Sequence, residues 1–143
     1  IKLININVIV NIINVQITED NIECLFGSDY DYIIDACDTT KVKVKLIIEC
    51  HNRNIKLVSS MGTANKLDAT KVYITTLDKT HSDPLAKKIR HELGKYREYM
   101  SDVTVVTSSE KAINNTMLGS TAFVPGTAGL FITNYIIKDV TGM

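Results

Sequence analysis

Asp35 and Asp38 stand at the end of the apolar run Tyr32-Ile33-Ile34-Asp35-Ala36-Cys37-Asp38-Thr39-Thr40, and Lys41, Lys43 and Lys45 follow at once. An apolar strand that runs into two carboxylates and then opens a helix marks where an α/β protein keeps a ligand. The crevice lies outside the carboxyl end of a parallel strand, beside a helix N-terminus that attracts anions and their metal counter-ions. By themselves the same residues also read as structure. Asp38 or Thr39 serves as a plain helix N-cap, Asp35 as a satisfied strand-end acid, and the three lysines as a solvated helix edge. No G-x-G-x-x-G and no P-loop occurs in the chain, so whatever cradles a nucleotide's phosphates is expected elsewhere. The sequence opens at Ile1 in what reads as the tail of a helix, and the expectation is a fragment of a longer enzyme.

Other reactive side chains offer less. Cys24, Cys37 and Cys50 make an odd count with no C-x-x-C pair, which excludes a zinc ribbon or a disulfide framework and fits a reducing cytoplasm. Cys37 is flanked by carboxylates that disfavour a thiolate, so it reads as a buried thiol and not a nucleophile. Cys50 and His51 are adjacent on a helix and cannot face one ligand together. His81 and His91 have no convergent partner, and a Ser-His-Asp triad is a matter of geometry that order along the chain does not supply.

The elements that must position these residues alternate. Val8 to Ile17 alternates apolar and polar residues and reads as a strand, after which Thr18-Glu19-Asp20 caps a short helix through Phe26. Tyr32 to Ala36 is a continuous apolar run, typical of a strand buried on both faces. Thr39 to Arg53 reads as a helix with Val42, Leu46 and Cys50 on one stripe, and Ile55 to Val58 as the next buried strand. This β-α-β-α-β order predicts a parallel, right-handed, doubly wound sheet. Ser59 to Ala64 is a small-residue loop, and Lys71 to Leu77 reads as a more exposed strand. Asp83 as N-cap and Pro84 in the first turn start a helix to about Met100, with the stripe Leu85, Ile89, Leu93, Tyr96 and Met100. Val103 to Thr107 is a further strand, and Pro125 opens an apolar helix through Lys138. That last helix must be buried, in the core or against a second subunit.

Composition sets outer bounds. The 143 residues read as a single domain, 1–143, with no internal repeat or linker. The 16 basic residues balance 16 acidic ones, which argues against a wholly basic nucleic-acid binder but permits a local basic patch. The helix from Asp83 supplies one, with Lys87, Lys88, Arg90, His91, Lys95 and Arg97 against three acids, and with Lys87, His91 and Lys95 aligned on one face. It reads either as a solvated amphipathic surface or as a phosphate-contacting one. The longest apolar stretch, Leu118 to Ile137, is interrupted by Gly, Pro, Thr and Asn, which argues against a membrane span.

Taken together, several of these pieces resemble a known family. They are Asp35-Ala36-Cys37-Asp38, the loop Ser59 to Ala64 with Asn65-Lys66-Leu67-Asp68-Ala69-Thr70, Leu77-Asp78-Lys79-Thr80 with Asp83-Pro84-Leu85-Ala86, Ser109-Glu110, and Gly119-Ser120 with Phe123-Val124-Pro125 and Ala128-Gly129. The combination resembles the ubiquitin-activating-type adenylating superfamily (ThiF, MoeB and HesA), and within it the tRNA threonylcarbamoyladenosine dehydratase branch. It covers the whole chain but only the C-terminal part of such an enzyme. Sulfur-carrier activating relatives usually carry two C-x-x-C pairs and an Arg five residues after the metal-binding Asp. Here the pairs are missing and that position is Lys43, as in the dehydratases, and a point charge is no substitute for a guanidinium fork. Ala69 stands where Pro is common in the motif, which touches only loop rigidity.

The resemblance implies an α/β fold: a Rossmann-like mixed sheet with helices on both faces, lacking its N-terminal nucleotide-binding portion. It implies an enzyme that uses ATP and Mg²⁺ to adenylate the carboxylate of the threonyl group in threonylcarbamoyladenosine of tRNA, after which intramolecular attack closes a ring. Asp38 is then the Mg²⁺ ligand and Lys43 a phosphate contact. Lys87, Lys88, Arg90 and Lys95 become contacts to tRNA, which predicts salt-sensitive binding. A cytoplasmic homodimer is implied, with a sulfur-relay or redox protein as a further partner. Two alternatives stand beside this reading: an adenylyltransferase for a ubiquitin-like sulfur carrier, and a non-catalytic RNA-binding or dimerisation module. The chain alone, without a phosphate cradle, is expected to be inactive.

Overall fold

The computed structural model describes residues 3–113 and 117–143. Its centre is a sheet of β1 (Tyr32–Asp35), β2 (Lys56–Ser60), β3 (Val72–Thr76) and β4 (Thr104–Ser108), in the spatial order β1-β2-β4-β3. β1 and β2 run parallel with Ile33 opposite Leu57, and β2 and β4 run parallel with Val58 opposite Thr104. β3 lies antiparallel on β4, with Ile74 opposite Val106, so the sheet is mixed.

Parallel neighbours need a crossover. α1 (Thr40–Asn52) makes the one from β1 to β2, while α2 (Pro84–Leu93) leads from β3 into β4. Because successive strand residues point to opposite faces, each central strand feeds two cores. Leu57 and Val105 pack with Val42, Leu46, Ile47 and Cys50 of α1 and with Ala86, Ile89 and Leu93 of α2. Val58 and Val106 point the other way, onto Val124, Ala128 and Ile132 of α3 (Phe123–Thr141). Helices therefore cover both faces, as the resemblance implies.

α2 starts as its sequence predicts. Asp83 caps it, its carboxylate accepting from Ala86 N at 3.0 Å, and Pro84 occupies the first turn. The helix is shorter than expected, because Gly94 takes a left-handed φ of 47° after Leu93 and the chain continues as a 3-10 segment to Ser101. Glycine alone adopts that conformation without steric cost. Lys95 consequently leaves the helix face that Lys87 and His91 share.

Other expectations meet a different structure. Residues 8–17 form no strand, and Ile9 and Ile12 are 87% and 86% exposed. Alternation supplies an apolar face, but a strand also needs a hydrogen-bonded partner, and none of the four described strands pairs with this segment. Thr18-Glu19-Asp20 does not cap an α-helix. Asn21 Oδ1 accepts from Thr18 N at 2.7 Å ahead of a 3-10 turn over Ile22–Phe26. β1 lies at a sheet edge, so Ile34 is 53% exposed where burial on both faces was expected. α3 begins two residues ahead of Pro125, and one side of it carries exposed Phe123, Leu130, Ile137 and Val140. Among the described residues, no helix is long and apolar enough to cross a membrane.

The last turn of α3 is tied to the entry ends of β1 and β2. Asp139 Oδ2 accepts from Tyr32 Oη and from Lys56 Nζ, both at 2.6 Å. Burial first, and then the hydrogen bond to Asp139, push the Tyr32 phenol up to about 12, against an ordinary 10.0. A phenol shifted upward contributes stability that is whole below pH 10 and disappears as pH climbs through 12. In an ultraviolet titration one tyrosine should ionise near 12, and Asp139→Asn should bring it part of the way back, because burial remains. Uniform ionisation of all tyrosines near their ordinary value would remove this tie.

Candidate functional site

A cleft of about 440 Å³ opens at the carboxyl ends of β1 and β2. Ala36, Cys37 and Asp38 form one wall as the chain leaves β1, and Ser60 with the loop 61–64 forms the facing wall. Leu85 at the start of α2 and Gly129 and Ile132 of α3 close it. The sequence puts the opening here because β1 ends at a buried acid, Asp35, beyond which Asp38 is exposed.

Asp38 lies at the mouth of α1. Thr39 makes no side-chain cap bond, and the first helical hydrogen bond runs from Lys43 N to Thr39 O at 3.1 Å. The amides ahead of Lys43 thus have no intrahelical acceptor and no side-chain cap, which leaves them, with the positive end of the helix dipole, open to an anion. One exposed carboxylate beside such donors suits Mg²⁺, which takes one or two carboxylates and fills its shell with water and phosphate oxygens. No cluster of three or more His, Cys, Asp or Glu side chains occurs among the described residues, so a closed all-protein metal cage is absent there.

Lys43 is placed differently from a free phosphate contact. It is fully buried, and its Nζ donates to Asp35 Oδ2 at 2.7 Å, to Ser60 O at 2.8 Å and to Ser59 Oγ at 3.2 Å. Those three bonds use all three ammonium hydrogens. Asp35 is equally occupied, accepting from Ser59 Oγ at 2.6 Å and from Cys37 N at 3.1 Å besides Lys43. To meet a phosphate from here, Lys43 must exchange one of these partners.

Cys37 is exposed, against the expectation of a buried residue. Partial burial of its thiol, and after that the hydrogen bond to Asp35, push the thiol up to about 11, so the inert reading of its chemistry stands on a different environment. Cys50 is buried and pushed up to about 12, chiefly by desolvation.

The basic helix begins at the cleft, since Leu85 lines it. Lys87, Lys88, His91 and Lys95 are exposed, and Lys88 faces Glu92 at 3.9 Å. Arg90 is turned inward, donating to Leu77 O at 3.4 Å and to Thr80 Oγ1, which anchors the turn after β3. Five of the basic residues in the expected patch are thus exposed, Arg97 included, and one is a structural strut.

Sequence reasoning missed Lys66 and the second role of Asp83. Lys66 is 2% exposed, with Nζ 3.3 Å from Asp83 Oδ2 and 3.4 Å from Ser108 O. Thr107 Oγ1 donates to the same carboxylate oxygen at 3.2 Å. Nothing in the spacing of Lys66 and Asp83 announces a pair, because the loop and β3 lie between them. A second cleft, of about 420 Å³, lies between Ile13, Ile17 and Leu25 and the outer side of β1. It is apolar, and its one carboxylate, Asp35, is already committed to Lys43.

The chain is similar to known proteins. The model of the ThiF family matches residues 1–143. The tRNA threonylcarbamoyladenosine dehydratase of Bacillus subtilis is 37% identical over 142 residues, covering 86% of this chain and 56% of that protein. The Escherichia coli enzyme of the same name is 36% identical over 110 residues, covering 77% of this chain and 39% of its own length. The crystal structure of E. coli TcdA in complex with ATP superimposes with a TM-score of 0.89 at 28% identity, covering 99% of this chain and 60% of that one. The chain thus spans about half the length, or less, of the curated relatives it matches.

The Lys43 site makes a sharp stability prediction. Lys43→Met leaves Asp35 charged and unpaired in the interior and should cost about 3–5 kcal/mol. The double variant Lys43→Met with Asp35→Asn should recover most of that in urea unfolding. Equal losses in the single and double variants would show that the pair is not coupled.

Proposed function

The chain belongs to the ThiF family, and from that premise we propose that the protein is an ATP-dependent tRNA threonylcarbamoyladenosine dehydratase. The observation that carries this reading is the 37% identity over 142 residues to the B. subtilis dehydratase, a match that takes in 86% of this chain. A relative of the same fold in complex with ATP supports nucleotide chemistry for this protein.

A carboxylate oxygen is a poor leaving group. Bound ATP would supply the AMP group that turns it into a good one. The work left to these residues is to neutralise charge and to hold the reacting atoms in line. Asp38 is the carboxylate placed to hold Mg²⁺, and the uncapped first turn of α1 is placed to receive phosphate oxygens. Lys43 holds Asp35 and the end of β2 in place beneath them. No phosphate cradle is found in the chain, so we place that part of the site in other residues of the whole protein. Exposed Lys87, Lys88 and Lys95 on and after α2 would meet tRNA phosphates on a surface that begins at the cleft, with Arg90 supporting it from inside. The exposed apolar side of α3 supports a homodimer, and a tRNA substrate supports a cytoplasmic setting.

Two experiments test the reading on the whole natural protein. With ATP, Mg²⁺ and tRNA bearing threonylcarbamoyladenosine, nucleoside mass spectrometry should show loss of one water, and Asp38→Ala should lower the rate by about 10²-fold or more. Pyrophosphate exchange that appears only with a small carrier protein, and no change in the tRNA, would instead identify a sulfur-carrier adenylyltransferase. For the tRNA surface, Lys87→Ala with Lys95→Ala should weaken binding across all sequences and flatten the dependence of log Kd on log salt by about two. An unchanged salt slope would place the tRNA elsewhere.

A further inference from the structure

Among the described residues the buried charges are four, and they form two pairs: Lys43 with Asp35 and Lys66 with Asp83. A buried ion pair is a poor source of net stability, because desolvation cancels most of the attraction. Its better-attested use is to fix one arrangement of chain among several, and the location of these two pairs is therefore informative. Both lie at the carboxyl end of the sheet, and both hold the same stretch of backbone. Lys43 takes the carbonyl of Ser60, where the cleft-lining loop begins. Lys66, two residues past Ala64, where the lining ends, fastens the far side to Asp83 and to the carbonyl of Ser108 at the end of β4. Between them, Met61 N donates to Val106 O at 2.8 Å. A Cβ on Gly62 would stand 3.4 Å from Asp83 Oδ1, so the loop lies directly on the carboxylate that Lys66 neutralises.

We propose that Lys66 and Asp83 are positioning residues for the reaction in the Asp38 cleft: together they clamp the outgoing end of loop 61–64 as Lys43 clamps its start, and so fix the wall opposite Asp38. Asp83 serves twice. Its Oδ1 caps α2 and its Oδ2 receives Lys66 and Thr107, so the loop wall and the first turn of the basic helix are held by one side chain. The inference rests on the dehydratase reading for the reaction it affects, but not for the loop it holds.

The test uses the whole natural protein carrying Lys66→Met, the charge-neutral pair Lys66→Met with Asp83→Asn, and the conservative Lys66→Arg. Amide hydrogen exchange of residues 61–64 reads the loop, and kcat and KM for ATP read the reaction. The neutral pair avoids leaving a lone buried carboxylate and keeps the measurement possible if the single variant unfolds. In the folded neutral pair, exchange at 61–64 should rise about tenfold or more while the central strands stay protected. In the same variant kcat should fall about tenfold to a hundredfold with KM for ATP within about threefold, as expected when reacting atoms are misplaced by an ångström. Lys66→Arg should restore both. A neutral pair with wild-type exchange in the loop and wild-type kcat would overturn the proposal, as would a loss seen only as a general fall in Tm. Should the wild-type protein remove no water from the tRNA, the dehydratase reading fails, and loop exchange alone then decides the positioning role.

Discussion

An ammonium group with no water around it must give each of its hydrogens to the protein, and Lys43 meets that demand by joining three pieces of chain. Its stem rises from α1, its charge faces the terminal residue of β1, and its other two bonds reach the last two residues of β2. The attraction itself returns little net stability. What it settles is the height at which each strand stops, because any slip of β1 against β2 would strand a charge in a medium that cannot solvate it. Asp38 leaves the sheet three residues after Asp35, so its position inherits that precision. Sheet register, helix placement and cleft geometry all follow from one side chain's need for partners.

The reversal of β3 has a comparable effect on the opposite wall. Had β3 run parallel to its neighbours, the chain leaving β2 would have had to cross the sheet before entering it. Because β3 is antiparallel, with Val72 opposite Ser108, it begins at the same end where β2 and β4 finish. Residues 61–71 therefore stay at the cleft and are pinned there from outside. Glu110 accepts from the amides of Leu67 and Asp68, and Asn65 exchanges hydrogen bonds with Gly119 through its own amide and its side-chain oxygen. A loop of small residues is thereby given walls on both sides without a core of its own.

What could be read from sequence divides along physical lines. The central strands, the stripe of α1 and the Asp83-Pro84 start of α2 were legible, because apolar runs and capping chemistry are local signals. Residues 8–17 alternate as a strand does, but pairing is not local, and none of the described strands takes the segment up. Asp38 could be singled out as the exposed acid after a strand. That Lys43 is buried and Lys41 exposed could not, since both belong to the alternating run Lys41-Val42-Lys43-Val44-Lys45 and the partners that draw Lys43 inward, Asp35, Ser59 and Ser60, lie on other elements. Lys66 carries no sequence signal of its role, because its partner lies seventeen residues on, across a strand. Arg90 shows the same limit from the other side, a basic residue counted with the surface that the fold turns inward.

β1 is only four residues long, stands at the margin of the sheet, and presents Ile34 half-exposed beside an apolar hollow. Backbone donors and acceptors on its outer side have no partner among the described strands. Such a margin is a template for any extended chain that passes, and natural sheets usually blunt it with a charge or a proline. Tyr32-Ile33-Ile34 carries neither. For anyone who expresses this stretch of chain by itself, that strand is one place where molecules can pair edge to edge. A lysine at position 34, where the side chain already faces solvent, is the change that would keep neighbouring molecules from stacking upon it.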